Sequence, residues 1–156
     1  MTKIISLTKL SSLSKIKKQL TKIVLVTGCF DLLHKAHKEF LKAAKSQGDL
    51  LIVGLEQDSR IKKLKGKDRP INSFAKRARN LAQIKEIDYV FPLPKSFNTN
   101  EDHWRLLQLI KPRVLAVSQN SPHLEEKKKL IRKIGGQIFI FPFNQKFSTT
   151  SLLTPP

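Results

Sequence analysis

Two histidines three residues apart, His34 and His37, close the stretch Thr27-Gly28-Cys29-Phe30-Asp31-Leu32-Leu33-His34-Lys35-Ala36-His37. At that spacing a helix holds both imidazoles on one face. Gly28 carries no side chain, so backbone there can come close to a ligand. A helix starting near His34 would offer unpaired N–H groups and its positive dipole end, a ready site for phosphate. Beside such a helix start, two imidazoles can donate hydrogen bonds to phosphate oxygens as charge builds in a transition state. The bare pair also suits a surface helix. A metal site is a further option, but with Cys29 as the one nearby thiol it lacks a convincing fourth ligand. Cys29 is the only cysteine of the chain, so no disulfide can form within it.

These residues must be positioned by the elements around them. Lys22-Ile23-Val24-Leu25-Val26-Thr27 reads as a strand buried on both faces, ending at Gly28. Lys35 to Gln47 carries Ala36, Phe40, Ala43 and Ala44 at helical spacing, with Gly48 as a stop. Further strands are predicted over 49–54, 88–91, 114–117 and 137–141. Further helices are predicted from an N-cap at Ser73 through Leu81, from Glu101 to Ile110, and from Ser121-Pro122 to Ile134. Strands alternating with helices at this spacing imply an α/β domain whose parallel sheet is covered on both faces. In such sheets ligands bind outside the carboxyl ends of the strands, where strand order reverses. Residues 1–20 read as a basic amphipathic helix or extension, and residues 21–156 as one domain.

Composition bounds the function classes. The 156 residues, 40% hydrophobic and 27% charged, suit one globular domain. Apolar runs such as Ile23-Val24-Leu25-Val26 fall far short of a membrane span, and Lys3-Ile4-Ile5-Ser6-Leu7 is broken too soon for a signal-peptide core. A soluble cytoplasmic protein without membrane insertion is expected. Thirty Lys and Arg against twelve Asp and Glu give a net charge of +18. That balance favours anionic partners, whether nucleic acid, membrane or phosphorylated small molecules. The charge is spread: six lysines precede Asp31, six bases lie between Arg60 and Arg69, and five between Lys127 and Lys133. With no nucleic-acid motif and with aromatics mostly in apparent core strands, nucleic acid is not the expected partner.

The string Gly28-Cys29-Phe30-Asp31-Leu32-Leu33-His34-x-x-His37 resembles the signature of the cytidylyltransferase-like nucleotidyltransferases, whose motif is HxGH. Leu64-Lys65-Gly66-x-x-Arg69-Pro70-Ile71-Asn72, then Arg77, then Ile87-Asp88-Tyr89-Val90, resembles the family's central block in order and spacing. Gly135-Gly136 and Ser148-Thr149-Thr150 resemble its closing block, and Lys3-Ile4-Ile5-Ser6-Leu7 the lead-in of the heptose 1-phosphate adenylyltransferase branch.

The resemblance implies a Rossmann-like three-layer domain with a five-stranded parallel sheet, of the HxGH type. It implies transfer of a nucleoside monophosphate, AMP favoured, from ATP or CTP to a phosphorylated small-molecule acceptor such as a sugar phosphate, with release of pyrophosphate. By position His34, His37 and Lys65 take the catalytic roles. Thr27, Gly28, Cys29, Phe30, Ala36, Arg69, Arg77, Ser148, Thr149 and Thr150 take nucleotide contacts, and Asp31, Gln119 and Asn120 substrate contacts. Magnesium carried by the nucleotide and a homodimer are likewise implied. Two departures stand out. Ala36 replaces the motif glycine, and Val117-Ser118-Gln119-Asn120 stands where the heptose branch has Lys-Gly-Gly-Asp. They keep open a cytidylyltransferase for a polyol or alcohol phosphate, an FAD-synthase-like enzyme, or a relative that binds nucleotide without catalysis. The charge keeps open a basic nucleic-acid-binding module.

Overall fold

The computed structural model describes residues 3–17 and 21–142. Five strands, β1 (Ile23–Gly28), β2 (Leu50–Leu55), β3 (Tyr89–Pro92), β4 (Val114–Ser118) and β5 (Gln137–Phe141), form one parallel sheet in the order β3-β2-β1-β4-β5. The first crossovers step one way from β1 and the last step the other, so strand order reverses between β1 and β4. There Leu25 lies beside Leu115, and β1 runs on to Gly28.

Alternation along the strands sorts the core into two layers. Val24, Val26, Leu51, Val53, Val90 and Ala116 face α2 (Lys35–Lys45) and α4 (Phe74–Ala82). Leu25, Ile52, Phe91, Leu115 and Val117 face α1 (Leu7–Lys17), α5 (Asn100–Ile110) and α6 (Leu124–Lys133). The result is a Rossmann-like three-layer α/β fold, with continuous apolar strands because both faces are covered. Before α1, Ile4 bridges Val90 in parallel, and Ile5 donates its amide to Val90 at 2.9 Å. This short segment covers the outer edge of β3, which would otherwise present unpaired backbone groups.

Local chemistry explains most element ends. Ser73 accepts the amide of Lys76, and Thr99 with Asp102 forms a reciprocal capping box for α5. Two features differ from the sequence expectation. A helix α3 (Asp58–Lys65) follows β2 in a stretch that reads as a run of bases, because Ile61 is its one buried side chain. The last helix starts at Leu124 and not at Ser121-Pro122, since His123 sits in the left-handed region at φ 57° and cannot continue a helix backwards.

Candidate active site

The reversal point opens into a cleft of about 570 Å³. Its floor is the end of β1 and the loop after it: Thr27, Gly28, Cys29, Phe30 and Asp31. A Cβ on Gly28 would lie 2.9 Å from the ring of Phe30, so the glycine lets that ring lie down on the strand end. Phe30 itself adopts φ 47°, uncommon for a bulky residue, which turns the chain sharply towards α2.

His34 is the N-cap residue of α2, with extended backbone, and His37 lies in the first turn. Their rings stack at 3.8 Å between centroids, and His37 also meets the edge of Phe30 at 5.4 Å. The first bond of the helix runs from the amide of Lys38 to the carbonyl of His34. The amides of Lys35, Ala36 and His37 therefore have no acceptor within the helix and gather at its positive end. Burial, the neighbouring His34 and Lys65 push His37 down to about 4, and burial also lowers His34. Both imidazoles are thus largely neutral near pH 7, with one N–H each, and the His37 ring is also hydrogen-bonded to the Leu32 backbone. Ala36 lines the cleft beside them and is buried.

Lys65, at the end of α3, lines the same cleft. Cys29 is held up from its ordinary value, by burial first of all, so it is a protonated thiol and no nucleophile. The other expected contacts divide between the cleft and the loops behind it. Arg77 is fully buried behind the loop and does not line the cleft. Its Nε donates to Asn72 O at 3.0 Å, its Nη1 to Cys29 O at 2.9 Å and Glu56 O at 2.8 Å, and its Nη2 to Asp58 at 2.6 Å. Asp31 borders the cleft, yet its carboxylate is taken up by the amides of Ile71 and Asn72, at 2.7 and 2.8 Å, and by Arg69 at 3.5 Å. Asp31 and Arg69 therefore clamp the loop after β1 to residues 69–72. Asn120 lines the cleft, whereas Gln119 is exposed outside it. Ser148, Thr149 and Thr150 lie outside the described residues.

Glu56, Arg60, Asn98, His103, His123 and Lys127 reach the cleft without a motif to announce them. Only Glu56 carried a legible signal, since it follows the carboxyl end of β2. Burial pushes the Glu56 carboxyl up and the Lys127 ammonium down. His103, packed edge-on against Phe97 at 4.5 Å, is lowered to about 4 by burial, then by Lys127.

The two lowered histidines make a stability prediction. Unfolded, each titrates near the ordinary imidazole value of 6.5; folded, near 4. Between those values the unfolded chain binds more protons, so stability present at neutral pH is lost as pH falls through the window. The Tm is expected to drop by on the order of 5 °C between pH 6.5 and 5. His103→Asn should flatten that slope; an unchanged slope would show that His103 is not held neutral.

A helix start carrying two imidazoles, at the switch point of a doubly wound sheet of the Rossmann-like kind, is suited to holding a phosphate group. The family model described as cytidylyltransferase-like matches residues 25–151, and the chain belongs to that family of nucleotidyltransferases. Curated relatives include the bifunctional protein HldE of Helicobacter hepaticus, 40% identical over 97% of this chain, and that of Aliarcobacter butzleri, 39% identical over 85%. The chain spans only 30% and 26% of those relatives. Among solved structures, a lipopolysaccharide core biosynthesis protein from Thermoplasma volcanium superposes with a TM-score of 0.62 at 26% identity, covering 80% of this chain and 97% of that one. A pantoate-beta-alanine ligase from Francisella tularensis, complexed with beta-gamma ATP and beta-alanine, reaches 0.68 at 17% identity, covering 93% and 68%. This last likeness is one of fold alone.

Proposed function

We propose that the chain transfers AMP from ATP to a sugar 1-phosphate of the heptose 1-phosphate type, releasing pyrophosphate. The observation that carries this reading is the stacked His34–His37 pair at the open amides of α2, with His37 lining the cleft. An oxygen of the acceptor phosphate attacks the α-phosphorus of ATP. The new P–O bond forms as the bond to the β-phosphate oxygen breaks, and the electron pair leaves with pyrophosphate. Both imidazoles donate to the α-phosphate oxygens, and Lys65 adds a fixed positive charge. Positioning and charge neutralisation supply most of the acceleration in such a transfer. ATP is favoured over CTP because the HldE relatives resemble the heptose adenylyltransferase branch.

Among the described residues no group of three or more His, Cys, Asp or Glu is placed to hold a metal ion. The reading takes magnesium as part of the substrate, bound to the nucleotide phosphates. Ser148, Thr149 and Thr150 keep their proposed place against the triphosphate. A homodimer and a cytoplasmic setting belong to the same reading; among the described residues no helix is long and apolar enough to cross a membrane.

The test is pyrophosphate release with ATP or CTP and magnesium, across sugar 1-phosphates and polyol phosphates, with His37→Ala as control. Release that requires ATP and one sugar 1-phosphate, and is lost in the control, is the expected result. Nucleotide binding without release from any pair would move the chain to the non-catalytic relatives and make Ala36→Gly the reversion to try.

A further inference from the structure

The cleft holds two groups of ionisable side chains, one around His37 and one around Glu56. His37 responds to His34 and Lys65, whereas Glu56 responds to Arg60, Arg77 and Lys127. Cys29 lies between them and feels both Lys65 and Glu56. The second group, the Glu56 pole, carries two buried polar atoms without a hydrogen-bond partner, Oε2 of Glu56 and Nε of Arg60, and both residues line the cleft. Buried polar atoms are rarely left unpaired, so a pair of opposite kind in one cavity points to a ligand that supplies both partners.

The Glu56 backbone is pinned on both sides, its amide to Gly28 O at 2.9 Å and its carbonyl to Arg77 at 2.8 Å. Arg60 is held through Nη2 by the side-chain oxygen of Asn98, and because the guanidinium is planar that bond also fixes the direction of Nε. Lys127 is fixed by Ser121 at 2.6 Å, and His103 by the ring of Phe97.

We infer that Glu56 and Arg60 read hydroxyl groups on the acceptor, selecting a polyhydroxylated monophosphate by its uncharged end. The inference rests on the proposed transfer to a sugar 1-phosphate and assigns the residues that would discriminate among such acceptors. The chemistry excludes the alternatives in turn. A ligand ammonium would satisfy Glu56 but meet the like charges of Arg60 and Lys127. A second phosphate or carboxylate would satisfy those cations but face the Glu56 carboxylate. A hydroxyl donates to the carboxylate oxygen and accepts from the guanidinium N–H at once, so neighbouring hydroxyls satisfy both orphaned atoms. The phosphate of the same ligand is left to the histidine pole.

Calorimetric titration of the whole chain tests this directly, in the presence of a non-hydrolysable ATP analogue and magnesium. The probes are heptose 1-phosphate, mannose 1-phosphate, phosphocholine and mannose 1,6-bisphosphate. The sugar monophosphates should bind, and the other two should not. Glu56→Gln and Arg60→Met should each weaken sugar binding by about 10–100-fold. Both variants should hold the affinity for the ATP analogue within about threefold, as expected if only hydroxyl contacts are lost. Equal sugar binding by wild type and both variants would overturn the inference and show that water fills the pole. Tighter binding of phosphocholine or the bisphosphate would also overturn it, as would no sugar binding at millimolar concentration. If the expected binding pattern appears but no pyrophosphate is released, the transferase reading fails and the hydroxyl-reading pair stands.

Discussion

Replacing His37 by alanine is expected to lower kcat by about 10²–10³-fold while leaving ATP affinity within a few-fold of wild type. The reason is differential. On the proposed reading the ground-state α-phosphate charge would be shared among the open amides of α2, Lys65 and the nucleotide's magnesium, so one lost imidazole should weaken binding little. In the transition state more charge gathers on the α-phosphate oxygens, and a fixed donor in a half-buried site matters most there. His37 is already held near 4, largely by burial, so its neutral form, which keeps one N–H, is the resting state. Its loss removes a desolvated ring and should leave the Tm unchanged or slightly raised. His34→Ala should resemble it, and the double variant should lose far less than the product of the two. Rings stacked at 3.8 Å act on the same oxygens as a unit. A loss below tenfold, with the fold intact, would remove the pair from the chemistry.

The histidine pair was legible because its signal is local: a buried strand, a glycine, and an HxxH at a helix start. The five strands were legible for a similar reason, since apolar runs such as Ile23–Val26 are what a doubly covered parallel sheet requires. Helix α3 was not, because a helix that buries only Ile61 shows no apolar period among its bases. The Glu56 pole was illegible for a different reason. It joins the end of β2, the first turn of α3, the chain before α5, and the first turns of α5 and α6, segments that meet only once the sheet is assembled. The loop contacts were misjudged in kind. Asp31, Arg69 and Arg77 sit within the right motif blocks, and sequence position alone does not say whether a charged group faces ligand or faces the backbone that shapes the ligand site. The structure decides this for Asp31 through two main-chain amides, and for Arg77 through three carbonyls.

Arg77→Met is accordingly expected to destabilise the fold by about 3–5 kcal/mol, a large share of the 5–15 kcal/mol typical of a domain. The guanidinium is fully buried and bonded at all three nitrogens. Methionine fills much of the volume but strands the carbonyls of Cys29, Glu56 and Asn72, which water reaches only by opening the loop. Arg77→Lys should fail nearly as badly, because one ammonium cannot span acceptors contributed by three chain segments. Asp58→Asn should cost far less. The Asp58 side chain is 41% exposed, so solvent screens the ion pair, and the three carbonyl bonds to Arg77 survive. Urea midpoints for the three variants would separate these cases. A stable Arg77→Met protein that has lost only ATP binding would return Arg77 to the phosphates. The expected order, with Met and Lys far below wild type and Asn close to it, would make Arg77 the brace that holds the ends of β1 and β2 in register beneath the cleft.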